Sequence, residues 1–83
     1  MNIKVLGVGC SSCQRMLDDV KRIIQRNGWQ NIQVEYVQDI ERILGYGVMS
    51  TPALVIQDQV VMVGYRGMDK IEQTIKNNLP ELY

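Results

Sequence analysis

The chain has 83 residues, in which nine Lys and Arg balance nine Asp and Glu, with two cysteines and no histidine. This length predicts one small domain over residues 1–83, and zero net charge argues against nucleic acid as a partner because phosphate binding needs a cationic surface. Without histidine, imidazole-based catalysis and imidazole-ligated zinc are excluded, so any chemistry uses thiols, carboxylates, hydroxyls or amines.

The sequence also constrains the cellular setting. No apolar run approaches the roughly 18 to 20 residues that span a bilayer, and the apolar N-terminus carries Lys4 and lacks a cleavage pattern. We therefore expect no membrane association and a cytoplasmic location. In that reducing compartment, Cys10 and Cys13 are not expected to form a structural disulfide.

The first half of the chain predicts a strand, a helix, a strand and a short helix. Residues 3–8 form an apolar run typical of a buried strand, and alternation over residues 32–36 predicts a second strand parallel to it. Asp39 is a predicted cap for the short second helix, which Gly45 and Gly47 end. The first helix ends at Asn27-Gly28 and has one apolar face and one polar face. The apolar face comprises Cys13, Met16, Leu17, Val20, Ile23 and Ile24, and the polar face comprises Arg15, Asp18, Asp19, Lys21, Arg22 and Arg26.

The second half predicts a hairpin and a final helix. Residues 53–56 and 60–63 are two apolar runs, and the connection between them lacks the glycine that a tight turn prefers, so we expect a positive φ at Gln59 or a longer loop. Asp69 and Glu72 have the spacing of a capping box for a last helix. Its apolar face is Ile71, Ile75 and Leu79, and Pro80 ends it. The predicted order is β-α-β-α-β-β-α.

The two cysteines lie where the first strand gives way to the first helix. Unpaired N–H groups and the helix dipole stabilise an anion at that point, which lowers the pKa of a thiol at Cys10 and makes it nucleophilic. Cys13 lies one turn further along, on the apolar face. We therefore expect Cys10 to attack a substrate disulfide and Cys13 to resolve the mixed disulfide. Ser11 and Ser12 keep the loop polar, and Ser11 with Gln14 has capping-box spacing.

Two other interpretations of the cysteines remain. A pair of inert, buried thiols is possible because cysteine packs well in cores. Zinc would need two further ligands, which one chain does not supply, although a dimer sharing four thiolates would. The sequence predicts no metal site within the chain.

The order of elements and two segments of the sequence resemble the thioredoxin-like superfamily. The resemblance is to its small, glutaredoxin-sized redox-active disulfide proteins in particular. The two segments are Gly9-Cys10-Ser11-Ser12-Cys13 and Val48-Met49-Ser50-Thr51-Pro52-Ala53-Leu54. The resemblance implies a minimal α/β fold with a four-stranded mixed sheet flanked by three helices. It also implies that Pro52 follows a cis peptide bond and faces the cysteines, while the backbone of Thr51 pairs with the substrate. Gly9, Ser11, Ser12 and Ser50 complete the expected substrate site.

The chain departs from the thioredoxin pattern in ways that bear on its chemistry. Gly9 stands where thioredoxins have tryptophan, Ser11-Ser12 replaces Gly-Pro, and no acidic residue occupies the position of thioredoxin's buried aspartate. Proton transfer at Cys13 therefore has no evident partner in the sequence.

Three functions follow as hypotheses. The first is a thiol-disulfide oxidoreductase that needs no cofactor, acts as a monomer on protein or small-molecule disulfides, and exchanges electrons with a dithiol reductase. The second is a copper chaperone of the heavy-metal-associated type, in which Cys10 and Cys13 bind Cu(I). That family has the order β-α-β-β-α-β and a Met where this chain has Val8. The third is a binding module that keeps the fold without turnover.

Overall fold

The computed structural model describes residues 2–9, 11–30 and 32–78. Within them the elements follow the order β1 (Asn2–Leu6), α1 (Ser11–Asn27), β2 (Gln33–Val37), α2 (Ile40–Gly45), β3 (Ala53–Ile56), β4 (Gln59–Val63) and α3 (Met68–Asn78). The predicted order β-α-β-α-β-β-α is confirmed. Leu79 and Pro80, which were predicted to complete the last helix, lie outside the described residues.

The strands form one mixed sheet in the order β2-β1-β3-β4. β1 runs parallel to β2, as expected for strands joined by a crossover helix, and antiparallel to β3, which in turn is antiparallel to β4. The two inner strands, β1 and β3, are buried almost throughout because helices cover both faces of the sheet. The sheet and its flanking helices confirm the predicted fold class.

Each face of the sheet has its own hydrophobic core. On one face, side chains of β1 and β3 pack with α1 and α3; this core includes Ile3, Val5, Met16, Leu54 and Ile71. On the other face a smaller core surrounds α2, with Leu6, Val37, Ile43, Val48 and Val55. Because successive side chains of a strand point to opposite faces of the sheet, β1 and β3 each contribute side chains to both cores.

Helix α1 follows its apolar pattern closely. Its C-terminus is closed by Gly28, whose φ is +65°, and by a hydrogen bond from Trp29 N–H to Ile24 O of 3.2 Å. The polar face deviates at one position: Asp19 was predicted to be exposed and is 6% exposed. That prediction was wrong because a tyrosine far along the chain supplies a partner for the carboxylate.

Two predicted helix caps need correction, and one is confirmed. Asp39 caps α2 by accepting a hydrogen bond of 3.0 Å from Glu41 N–H. By contrast, α3 begins at Met68, so Asp69 lies inside its first turn and is not the cap. Ser11 is likewise the first residue of α1, and the Gln14 amide donates to Asp18 at 3.4 Å, so the predicted Ser11–Gln14 capping box does not form.

The β3–β4 turn lies one residue earlier than the sequence suggests. Ile56 pairs with Gln59, and the positive φ angles fall at Gln57 (+50°) and Asp58 (+66°), not at Gln59. Both central residues of a type I′ turn require this conformation. Asp58 also reaches Lys4, whose Nζ lies 3.3 Å from its Oδ1.

Gln57→Gly should stabilise the protein, and Gln59→Gly should destabilise it. At position 57 glycine removes a left-handed side-chain penalty of about 1–2 kcal/mol and adds a flexibility cost of about 0.5–1 kcal/mol, for a net gain of roughly 0.5 kcal/mol. At position 59, a strand residue without positive φ, only the cost applies. Urea denaturation of both variants tests this, and equal shifts in midpoint would contradict the turn assignment.

Candidate functional site

The cysteine motif lies at the carboxyl end of β1, where the chain turns into α1. Predicted to extend to residue 8, β1 ends at Leu6, and Gly9 adopts a φ of +97° immediately before the cysteine segment. Glycine adopts this conformation without the steric cost that a side chain would impose. Cys10, the predicted nucleophile, lies outside the described residues, while Ser11 is exposed and Ser12 is partly buried.

Cys13 is completely buried, at 0% exposure, on the apolar face of α1. This confirms the prediction that its side chain points toward the core. A thiol in this position is shielded from solvent, so a bulky substrate cannot approach it directly.

The position of Cys13 depends on Gly7. An ideal Cβ at Gly7 would lie 2.6 Å from Cys13 Cβ, 2.8 Å from Cys13 Sγ and 3.1 Å from Cε1 of Tyr36. The first two separations are shorter than real atoms tolerate, so the first turn of α1 occupies the space that a side chain at position 7 would need. The Gly7 N–H still donates to Val37 O at 2.9 Å, which fixes the backbone on the β2 side.

Tyr36 contributes a polar atom to this region. Its ring approaches Gly7 on the same side as Cys13, and its hydroxyl is buried without a hydrogen-bond partner among the described residues. In the sequence, Tyr36 is the last residue of the predicted second strand, and no role in the site was predicted for it. Burying a hydroxyl without a hydrogen-bond partner lowers the stability of the folded state.

The second motif, residues 48–54, leads into β3 and lies beside the cysteine motif. Thr51-Pro52 is a cis peptide bond, as the family resemblance implied. Ala53 pairs with Leu6 in the antiparallel ladder, and continuing that register by one residue places Pro52 opposite Gly7. Two segments some forty residues apart in sequence thus meet at one end of the sheet.

The residues around Pro52 differ in exposure. Pro52 is buried, Thr51 is partly buried, and Ser50 is exposed. Met49 is 94% exposed, and Val8, which precedes the cysteine motif, is 55% exposed. Apolar side chains therefore reach solvent next to both motifs.

A polar cluster joins α1 to the loop of residues 64–67. The Tyr65 hydroxyl donates to Asp19 Oδ2 at 2.5 Å, and the Arg15 guanidinium lies 5.6 Å from the centre of the Tyr65 ring. The hydrogen bond to Asp19, burial and the charge of Asp19 together raise the pKa of Tyr65 above its ordinary value. The hydroxyl consequently remains a donor at neutral pH and above.

This cluster was not predicted as part of the site. Asp19 was predicted to lie on the polar face of the first helix, and Tyr65 falls in the connection between the predicted hairpin and the last helix. The one available signal was the position of Tyr65 directly after Gly64 and close to the end of the last strand.

The described residues contain no cluster of three or more His, Cys, Asp or Glu side chains that could hold a metal ion, and no helix among them is long and apolar enough to cross a membrane. The helix α2 between β2 and β3 also gives an order different from the β-α-β-β-α-β order of heavy-metal-associated domains.

Gly7→Ala should displace Cys13 and lower stability by about 1–3 kcal/mol, the usual cost of inserting a methyl group into packed surroundings. Gly45→Ala is the matched control. Gly45 ends α2 with no atom within 4 Å of an added Cβ, so alanine there should be neutral or slightly stabilising. Denaturant titration of both variants with the thiols reduced tests the contact. A Gly7→Ala protein as stable as the parent would contradict it.

The family model described as a thioredoxin domain matches residues 1–76. A search of curated proteins finds no match. The family match covers almost the whole chain and agrees with the order of elements and the cis-proline, so this protein belongs to the thioredoxin domain family.

Proposed function

We propose that the protein is a thiol-disulfide oxidoreductase. The observation that carries this proposal is the meeting of the two motifs: Cys13 packs against Gly7, and Gly7 lies opposite the cis-proline Pro52. A substrate strand lying along Thr51 would therefore be held next to the cysteine pair.

The reaction proceeds in two exchange steps. The Cys10 thiolate attacks one sulfur of the substrate disulfide, forming a mixed disulfide and releasing the other substrate sulfur as a thiolate that takes up a proton. Cys13, having lost its proton, attacks the Cys10 sulfur, which forms the Cys10–Cys13 disulfide and releases the second substrate thiol. The substrate gains two electrons and the cysteine pair loses them, so no cofactor is required.

The burial of Cys13 supports this division of roles. A residue with 0% exposure is poorly placed to meet an external disulfide, but Cys13 is only three positions from Cys10 in the sequence, a separation that a disulfide can bridge. Cys10 precedes Ser11, the first residue of α1, so its sequence position is that of a thiol activated by a helix N-terminus.

The substrate-binding role falls to the segments beside the cysteines. The backbone of Thr51 would pair with the substrate, and Gly9, Ser11, Ser12 and Ser50 would border it. Exposed Met49 and Val8 offer apolar contact on either side, which suits a disulfide carried on a polypeptide. Because net charge is zero, long-range attraction would contribute little to partner choice.

The remaining parts of the proposal concern the cellular setting. A dithiol reductase would return the cysteine pair to its reduced form, and a cytoplasmic location would keep it reduced between turnovers. The protein would act as a monomer.

Single-cysteine variants test the assigned roles. Cys13→Ser should accumulate a mixed disulfide with a disulfide-bonded peptide, because the first step proceeds and the second cannot. Cys10→Ser should form none, because the remaining thiol is buried. Mass spectrometry after mixing with the peptide distinguishes the two, and trapping by Cys10→Ser alone would reverse the roles.

The parent protein supplies the matching test of the function itself. It should reduce the peptide and acquire one intramolecular disulfide. Tight Cu(I) binding without any peptide reduction would instead support the soft-metal hypothesis, and neither activity would support a binding module without turnover.

A further inference from the structure

We propose that Tyr65 is a positioning residue of the thiol-disulfide site, holding the Pro52 end of β3 in a fixed place relative to α1. The inference rests on the proposed function for its catalytic consequence. Its structural content stands separately, on hydrogen bonds and burial within residues 11–67.

The first step is the attachment of Tyr65 to α1. Asp19 is the one charged side chain buried among the described residues, at 6% exposure, and the Tyr65 hydroxyl donates to it at 2.5 Å. Arg15, one helical turn before Asp19, covers the ring from the same helix. Two residues of α1 therefore hold one loop side chain, and both lie within two turns of Cys13.

The second step is the attachment of the same loop to the cis-proline. Gly64, the neighbour of Tyr65, donates its N–H to Pro52 O at 2.6 Å. The adjoining ladder pair, Ala53 with Val63, extends this link into the sheet. Asp19, Tyr65, Gly64 and Pro52 thus form a continuous connection from the cysteine helix to the residue that follows Thr51, whose backbone is proposed to pair with the substrate.

The third step concerns the conformations that the loop of residues 64–67 could adopt if Tyr65 were not bonded to Asp19. Gly64 and Gly67 both adopt positive φ, at +86° and +94°, and they border the loop on either side. Glycines at both ends allow the intervening residues many conformations in the absence of side-chain contacts. The bond between Tyr65 and Asp19 selects one of them, and a hydrogen bond to a carboxylate is strong enough to do so.

The expected effect is on substrate binding and not on the sulfur chemistry. Tyr65 does not lie in the cysteine motif, so the reduction potential of the Cys10–Cys13 pair should be unchanged when its hydroxyl is removed. A loosely held Pro52 would leave the adjoining Thr51 backbone less well placed to pair with the substrate, which raises KM for a disulfide while kcat is preserved.

The test uses Tyr65→Phe, which keeps the ring for Arg15, with Tyr46→Phe as the control. Tyr46 also makes a hydroxyl bond between elements, accepting from Lys4 Nζ at 3.0 Å, but it packs against the core on the α2 side of the sheet. Each variant loses one hydrogen bond made by a tyrosine hydroxyl. Reduction of a disulfide-bonded peptide, with dithiothreitol as the reductant, should show kcat/KM lowered about tenfold by Tyr65→Phe through KM, and little change for Tyr46→Phe.

Amide hydrogen exchange provides a readout that does not depend on activity. Protection of the Gly64 N–H should fall about tenfold in Tyr65→Phe and not in Tyr46→Phe, because that N–H makes the bond to Pro52. Asp19→Asn keeps an acceptor oxygen and should retain most of the protection, whereas Asp19→Ala should behave like Tyr65→Phe.

The outcomes separate the two proposals. If Gly64 protection is unchanged in Tyr65→Phe, or falls equally in Tyr46→Phe, the positioning role is wrong whatever the parent protein catalyses. If protection falls but kcat/KM does not, the loop is held as described and the catalytic consequence is wrong. If the parent reduces no disulfide while protection falls as expected, the proposed function fails and the structural connection stands.

Discussion

The close approach of Cys13 to Gly7 is the contact on which the arrangement of the site depends. An added Cβ at Gly7 would come within 2.8 Å of the sulfur, so α1 can begin directly against the end of β1 only because position 7 has no side chain. The same residue lies opposite Pro52 in the sheet register. The lack of a side chain at Gly7 therefore allows the buried thiol to pack against the end of the strand that pairs with β3.

The covering of both faces of the sheet explains why the candidate site lies at the carboxyl end of β1. β1 and β3 are covered on both sides, by α1 and α3 on one face and by α2 on the other, so their ends are the places where backbone reaches the surface from a rigid core. The cysteine motif leaves the core at the end of β1, and the cis-proline enters it at the start of β3. Because β1 and β3 are antiparallel neighbours, the end of β1 and the start of β3 lie at the same end of the sheet.

Local patterns predicted most of the fold. The apolar face of α1 and the Asp39 cap depend on residues close together in sequence, whereas the parallel pairing of β1 with β2 was predicted from the helix that connects them; each is found in the structure. The cis bond before Pro52 came from family resemblance and not from local pattern. Asp19 could not be placed correctly, because its burial depends on Tyr65, 46 positions away. The one-residue shift of the β3–β4 turn has a similar origin: pairing of Ile56 with Gln59 in the sheet outweighed the local preference for glycine at positive φ.

In a chain this small, hydrogen bonds between elements that are distant in sequence contribute mainly to the selection of a single native arrangement. Burying Asp19 carries a desolvation cost that its bond to Tyr65 offsets, so the net gain in stability over an apolar pair is small. Any arrangement that separates the two groups leaves a charge buried without a partner and is strongly disfavoured. The pair thus excludes alternative placements of the loop of residues 64–67. Apolar packing, which tolerates small shifts, would discriminate less sharply between positions of Pro52. A hydrogen bond between distant elements is therefore the kind of interaction that suits the alignment of the cysteine segment with the cis-proline segment in a domain with a small hydrophobic core.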